Sequence, residues 1–129
     1  MNKRLSKGLH SEELQPTFDV IDKIKGTTLY NHNQHWIEVE QEDGTKAKQN
    51  EYNSLRVDFP VNSNTILETL ITEMYPQNIE QKLLNDYNAA NAGIEDKEKA
   101  QPYIDFLGTR KSLRAMVEAD CKANGIPLG

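Results

Sequence analysis

Apolar residues recur with two different rhythms along this chain, and the change falls close to Pro60. Before it they alternate with polar ones, as in a half-buried strand. After it they return every third or fourth position, as in a helix with one buried face. Residues 1–15 are polar and carry neither pattern, which predicts a tail or an arm. Residues 18–24 (FDVIDKI) fit two templates. Phe18, Val20 and Ile24 suit a strand, whereas Phe18, Ile21 and Ile24 suit a short helix closed by Gly26. The β-favouring run Gly26-Thr27-Thr28-Leu29-Tyr30 tips the reading toward a strand.

Residues 35–40 (HWIEVE) read as a strand with Trp36, Glu38 and Glu40 on one face and Ile37 and Val39 on the other. The polar Asn31-His32-Asn33-Gln34 predicts a turn before it, and Glu42-Asp43-Gly44 a second turn after it. Thr45 to Asn53 is polar enough for a long hairpin arm or a flexible loop. In residues 54–59 (SLRVDF), Leu55, Val57 and Phe59 are expected to face the core, with Arg56 and Asp58 in water, and Pro60 stops the strand.

Three helices follow. The first has the stripe Ile66, Leu67, Leu70, Ile71 and Met74. Its start is either a Thr65–Glu68 capping box or an Asn62 cap with Val61 stapled onto Ile66. The second, with an expected Asn78–Gln81 box, carries Ile79, Leu83, Leu84, Tyr87 and Ala90 and stops near Gly93. The third begins near Glu95 or at Pro102 and carries Tyr103, Phe106, Leu107, Leu113, Met116, Val117 and Cys121. Gly108 interrupts it, either for close packing of a neighbouring backbone, at a bend, or for no structural reason. Asn124-Gly125 and Pro127 end it.

Together these predict one α+β domain over residues 1–129: a β-rich part at 18–60 forming a short N-terminal antiparallel sheet of three or four strands, and a helical part at 62–125 packed on it. The strands around Trp36 and Leu55 are expected to be neighbours. An all-helical body with one protruding hairpin is the alternative.

Composition narrows the partners more than the fold. With 129 residues, a fold of this size buries roughly two thirds of its unfolded surface and needs no disulfide or metal. The 36% hydrophobic content implies a modest core that a second copy or a partner could complete. A net charge of −5 argues against a general nucleic-acid coat. The single cysteine, Cys121, fits a reducing compartment. Neither an apolar leader nor a run of ~20 apolar residues is present, so a cytoplasmic protein, or one carried in an assembled particle, is expected, with no membrane contact.

Candidate chemistry is sparse. His32 and His35 stand three apart, which on a regular strand points them to opposite faces, and His10 is far upstream. They read as surface histidines rather than metal ligands. Cys121 sits on an apolar stripe and reads as a core residue. Ser63 and Ser112 lie in no nucleophile elbow. The acidic pairs Glu12/Glu13, Glu42/Asp43 and Glu95/Asp96 read as solvated loops, and the glycines form no phosphate-binding pattern. No catalytic residue, cofactor or metal is expected. Arg110, Lys111 and Arg114 are the candidate phosphate contacts, set against the i,i+4 partners Arg114–Glu118 and Glu118–Lys122, which suit a solvated face.

The stretches HWIEVEQEDGTKAKQNEYNSLRVDFP, ILETLITEMYPQNIEQKLLNDYNAA and YIDFLGTRKSLRAMVEADC resemble small uncharacterised proteins of bacteroidal gut bacteria associated with prophages or mobile elements. The similarity covers about residues 30–127 and transfers no functional residue. It implies an accessory protein encoded near phage tail or structural genes. The expected function is accordingly protein–protein contact, as a phage or prophage assembly factor, with Tyr30 and Trp36 as interface aromatics. Ordinary core packing is the competing expectation for Trp36. A nucleic-acid-binding regulator using the basic face of the last helix is the alternative function.

Overall fold

The computed structural model describes residues 3–129 and is α+β: a four-stranded antiparallel sheet followed by three helices. The strands are β1 (Leu5–Ser11), β2 (Phe18–Asp22), β3 (Thr27–Glu40) and β4 (Lys46–Val57), in the spatial order β1-β4-β3-β2. Strands β2, β3 and β4 form a meander, and β1 lies on the far side of β4, a Greek-key arrangement. Its connection to β2 therefore runs from one sheet edge to the other. Asn31 binds the carbonyls of Thr17 and Pro16 (2.8 Å each), Gln34 and Gln15 exchange two hydrogen bonds of 2.8 Å, and Asn50 Nδ2 donates to Gln34 Oε1 at 2.9 Å. These amides fix the crossover against the outer face of the sheet, away from the helices.

Three expectations from the sequence change here. Residues 5–11 are a paired edge strand and not a tail; Leu5 opposite Leu55 gives them their apolar anchor. Asn31–Gln34 is not a turn. Strand β3 runs straight through it and absorbs one extra residue as a bulge between His32 and His35, with Asn33 in the left-handed region (φ 55°). Asparagine tolerates that conformation, which is why the segment resembles a turn in sequence. Phe59 is 75% exposed and does not face the core, because β4 ends at Val57 and the chain then turns outward. The predicted polar arm at 45–53 is strand, and residues 18–22 are strand as well.

The helices are α1 (Ser63–Met74), α2 (Gln77–Asn91) and α3 (Gln101–Asn124), with a 3-10 turn at Lys97–Ala100. Asn62 caps α1: its Oδ1 accepts from Thr65 N (2.9 Å), while its own N–H donates to Thr65 Oγ1 (3.0 Å). Thr65 is thus the reciprocal partner in the Asn62 box and not the cap itself. No side chain caps α2. The Pro76 carbonyl accepts from Ile79 and Glu80, so the helix starts one residue before Asn78 and the expected Asn78–Gln81 box is not used.

Helices α1 and α3 pack on the inner sheet face. Tyr30, Leu55 and Val57 from the sheet meet Ile66 and Leu70 of α1 and Val117 and Cys121 of α3 in one buried cluster. Helix α2 packs chiefly against α3 and the 3-10 turn, and a second cluster of Leu67, Ile71 and Phe106 fills the space between helices. A side chain added at Gly108 would meet nothing within 4 Å, so no neighbouring backbone uses that glycine. No helix among the described residues is long and apolar enough to cross a membrane.

Candidate functional site

Both strands flanking β4 bulge at the same level. Strand β1 slips register between Ser6 and Leu9, and β3 between His32 and His35, both against β4 residues 51–54. A bulge bends its strand and re-aims the side chains beyond it. Two consequences follow, one on each side of the bulge.

On the helix side, a cleft of about 320 Å³ lies between this part of the sheet and helices α1 and α3. Leu5, Leu70, Met74, Leu113 and Met116 supply its apolar wall. His32 and Asn53, paired across β3 and β4, lie at its sheet side, with Asn33 and Lys7. His32 is 7% exposed; its ring stacks on Tyr30 (centroids 4.7 Å apart), and Nδ1 donates to the Tyr30 carbonyl at 3.1 Å. Burial pushes its pKa down, against a smaller opposing pull from that carbonyl and from Asp120.

Beyond the bulge, His35 comes to the same face as His32, contrary to the expectation for residues three apart on a strand. There it meets His10 of β1 across Glu51 of β4. His10 Nε2 lies 3.1 Å from Glu51 Oε2, and His35 Nε2 lies 3.1 Å from Oε1. His35 Nδ1 also faces the Asn33 carbonyl at 2.9 Å. Both ring nitrogens of His35 therefore face acceptors, and both contacts are hydrogen bonds together only in the imidazolium form. The hydrogen bond from His10, and next the charge of His35, hold the Glu51 carboxyl below its ordinary range. Among the described residues no three His, Cys, Asp or Glu side chains are arranged to hold a metal ion. The trio instead links three strands at the place where the two bulges weaken their pairing.

Past this point β3 and β4 continue alone. Strand β1 reaches only to Asn50 and β2 only to Tyr30, so among the described residues 37–40 and 46–49 pair only with each other. They form a two-stranded arm with both edges open. Trp36, 51% exposed, stands at its base opposite Asn50, in the last row that β1 still reaches through Ser11, and the same outer face continues with Glu38 opposite Lys48 and Glu40 opposite Lys46.

The two aromatics singled out from sequence thus have opposite fates. Tyr30 is fully buried, stacked between Phe18 and His32, with its hydroxyl on Asp120, so it is a core residue and no interface anchor. Trp36 is at the surface. Of the basic trio, Arg110 is paired to Glu68 of α1 at 2.5 Å, Arg114 lies beside Glu118 and the N-terminus of α1, and Lys111 is exposed. Cys121 is fully buried and burial raises its thiol pKa, as befits a packing residue.

The residues that sequence reading missed are Asn53, Glu51 and the pairing of His10 with His35. Their one visible signal is Asn33, a residue suited to positive φ inside a run of strand-like polar residues. The chain matches no protein-family model, no curated protein and no solved structure.

Proposed function

We propose that this chain is an accessory protein that acts by contact with other proteins, and that the β3–β4 arm is the element that makes the contact. One observation carries the reading: the arm leaves the four-stranded sheet with both edges unpaired beyond Trp36, which stands half exposed at its base on the outer face. A two-stranded ribbon alone is marginally stable in water, and open edges are templates for a further strand. A partner strand added to either edge would satisfy the free backbone groups and cover the indole, while the Glu38–Lys48 and Glu40–Lys46 rows form a polar rim. The sequence resemblance supports the assembly of a phage-derived particle as the setting.

The test is light scattering during size exclusion over a range of concentrations, together with capture from the native lysate, for the wild type and Trp36→Ala. The expected result is a defined self-assembled or mixed complex that Trp36→Ala weakens on the order of tenfold or more, with unchanged melting. A wild-type monomer that captures nothing, or a complex indifferent to Trp36→Ala, rejects the reading.

A further inference from the structure

We infer that the cleft at the double bulge is a binding site for a small, neutral, apolar molecule bearing a hydroxyl group. At about 320 Å³ the cleft stands at the small end of the ~300–1,000 Å³ range of ligand pockets. Its wall is aliphatic and thioether, and Met74 and Met116 supply side chains that adapt to an irregular occupant.

The sheet side of the cleft supplies the polar specificity. His32 Nδ1 donates to the Tyr30 carbonyl, which fixes the proton of the neutral ring on Nδ1 and leaves a lone pair on Nε2. That nitrogen has no hydrogen-bond partner among the described residues. It is also not among the fully enclosed unpaired atoms, which are Asn50 Oδ1 and Ser54 Oγ. It is an accessible acceptor on a side chain more than nine-tenths buried in the wall of the cleft.

Asn53 stands directly opposite on β4. Its side chain is engaged on the other side of β4, where Oδ1 accepts from Gly8 N of β1 at 3.2 Å. His32 Nε2 is thus the unused polar atom of the cleft wall. A hydroxyl is matched to it, because it donates to Nε2. A carboxylate would set a negative charge against the Nε2 lone pair, with only Lys7 to attract it. A pure hydrocarbon would leave Nε2 unpaired.

The experiment is an NMR titration of the full chain with 1-octanol, with 1-methoxyheptane as the donor-free isostere and octanoate as the charged comparator. Expected are saturable shifts of the methyls of Leu70, Met74, Leu113 and Met116 and of His32 Nε2 with 1-octanol. The ether should bind about tenfold more weakly, the scale of one lost hydrogen bond. In His32→Phe, which keeps a ring against Tyr30, the alcohol should lose its advantage over the ether. The wild-type comparison decides the matter even if that variant does not fold. No saturable shift up to the solubility of 1-octanol, equal binding of alcohol and ether, or preference for octanoate would each overturn the inference.

Discussion

The Tyr30 hydroxyl donates to Asp120 Oδ2 across 2.5 Å and 90 residues of sequence, tying the middle of the sheet to the last helix. The donor sits in the core, and the acceptor is partly open to water. Burial, and then the bond to Asp120, raise the pKa of Tyr30 far above its ordinary value. Replacement by phenylalanine keeps the stack with Phe18 and His32 and removes one charge-assisted hydrogen bond. Tyr30→Phe should therefore cost about 1.5–3 kcal/mol in urea unfolding at neutral pH. The sign of the pH effect follows from the raised value. The contribution is complete below the unfolded tyrosine pKa of about 10 and is lost as pH rises above it. The gap between wild type and Tyr30→Phe should accordingly narrow in alkali; a constant gap to pH 11 contradicts the assignment.

Two glycines should respond to alanine with opposite signs. Gly26 has φ 74°, and a Cβ there would lie 2.9 Å from Phe59 Cβ, so Gly26→Ala combines a left-handed conformation with a collision. The backbone term alone costs about 1–2 kcal/mol. Gly108 lies within α3 at ordinary helical angles with open space around it, and Gly108→Ala should stabilise by roughly 0.5–1 kcal/mol. Thermal melts of the two variants beside wild type check both signs at once.

Glu51 bridges His10 and His35, and its depressed pKa makes that bridge sensitive to acid. A lowered folded-state value contributes stability above the unfolded carboxylate pKa of about 4.3, which disappears as pH falls through the folded one. Glu51→Gln should thus melt below wild type at mildly acidic pH and converge with it toward pH 3. Because the bridge links β1 to β3 through β4, amide exchange in Leu9–Ser11 should accelerate in the variant, while exchange in α3 stays the same. Equal exchange throughout would show that the trio does not hold the edge strand.

The parts of the fold with a buried face were legible, because burial imposes a period. The stripes at Ile66–Ile71 and at Phe106–Cys121, and the alternation at Leu55 and Val57, each mark residues that meet in the core. Strand β1 was not legible, since it lies at an edge and buries little beyond Leu5. The arm was half legible: 35–40 alternates and reads as a strand, whereas the polar 45–53 fits a hairpin arm and a loop equally, because it buries too little to impose a period. The candidate site was hidden by a change of phase. Tyr30 and Trp36 share parity in the sequence, and an uninterrupted strand would place them on one face. The extra residue at the Asn33 bulge sends one into the core and the other outward, and it also brings His35 round to Glu51. Periodicity cannot register a single inserted residue within so polar a stretch.

The basic face of α3 bears directly on the nucleic-acid alternative. Arg110 and Arg114 share that face, but Arg110 is drawn to Glu68 and Arg114 lies beside Glu118, within a chain of net charge −5. Phosphate contact would have to break the first pair and overcome the repulsion of the rest. Fluorescence anisotropy with mixed-sequence oligonucleotides at 50 mM salt should therefore show no saturable binding, and Lys111→Ala/Arg114→Ala should leave the signal unchanged. An affinity that falls steeply with added salt, and that the double variant removes, would instead establish phosphate contact. The Arg110–Glu68 pair itself is partly exposed, so Arg110→Ala should cost no more than about 1 kcal/mol in urea unfolding. A larger loss would mean that the aliphatic stem of Arg110 contributes more than its charge.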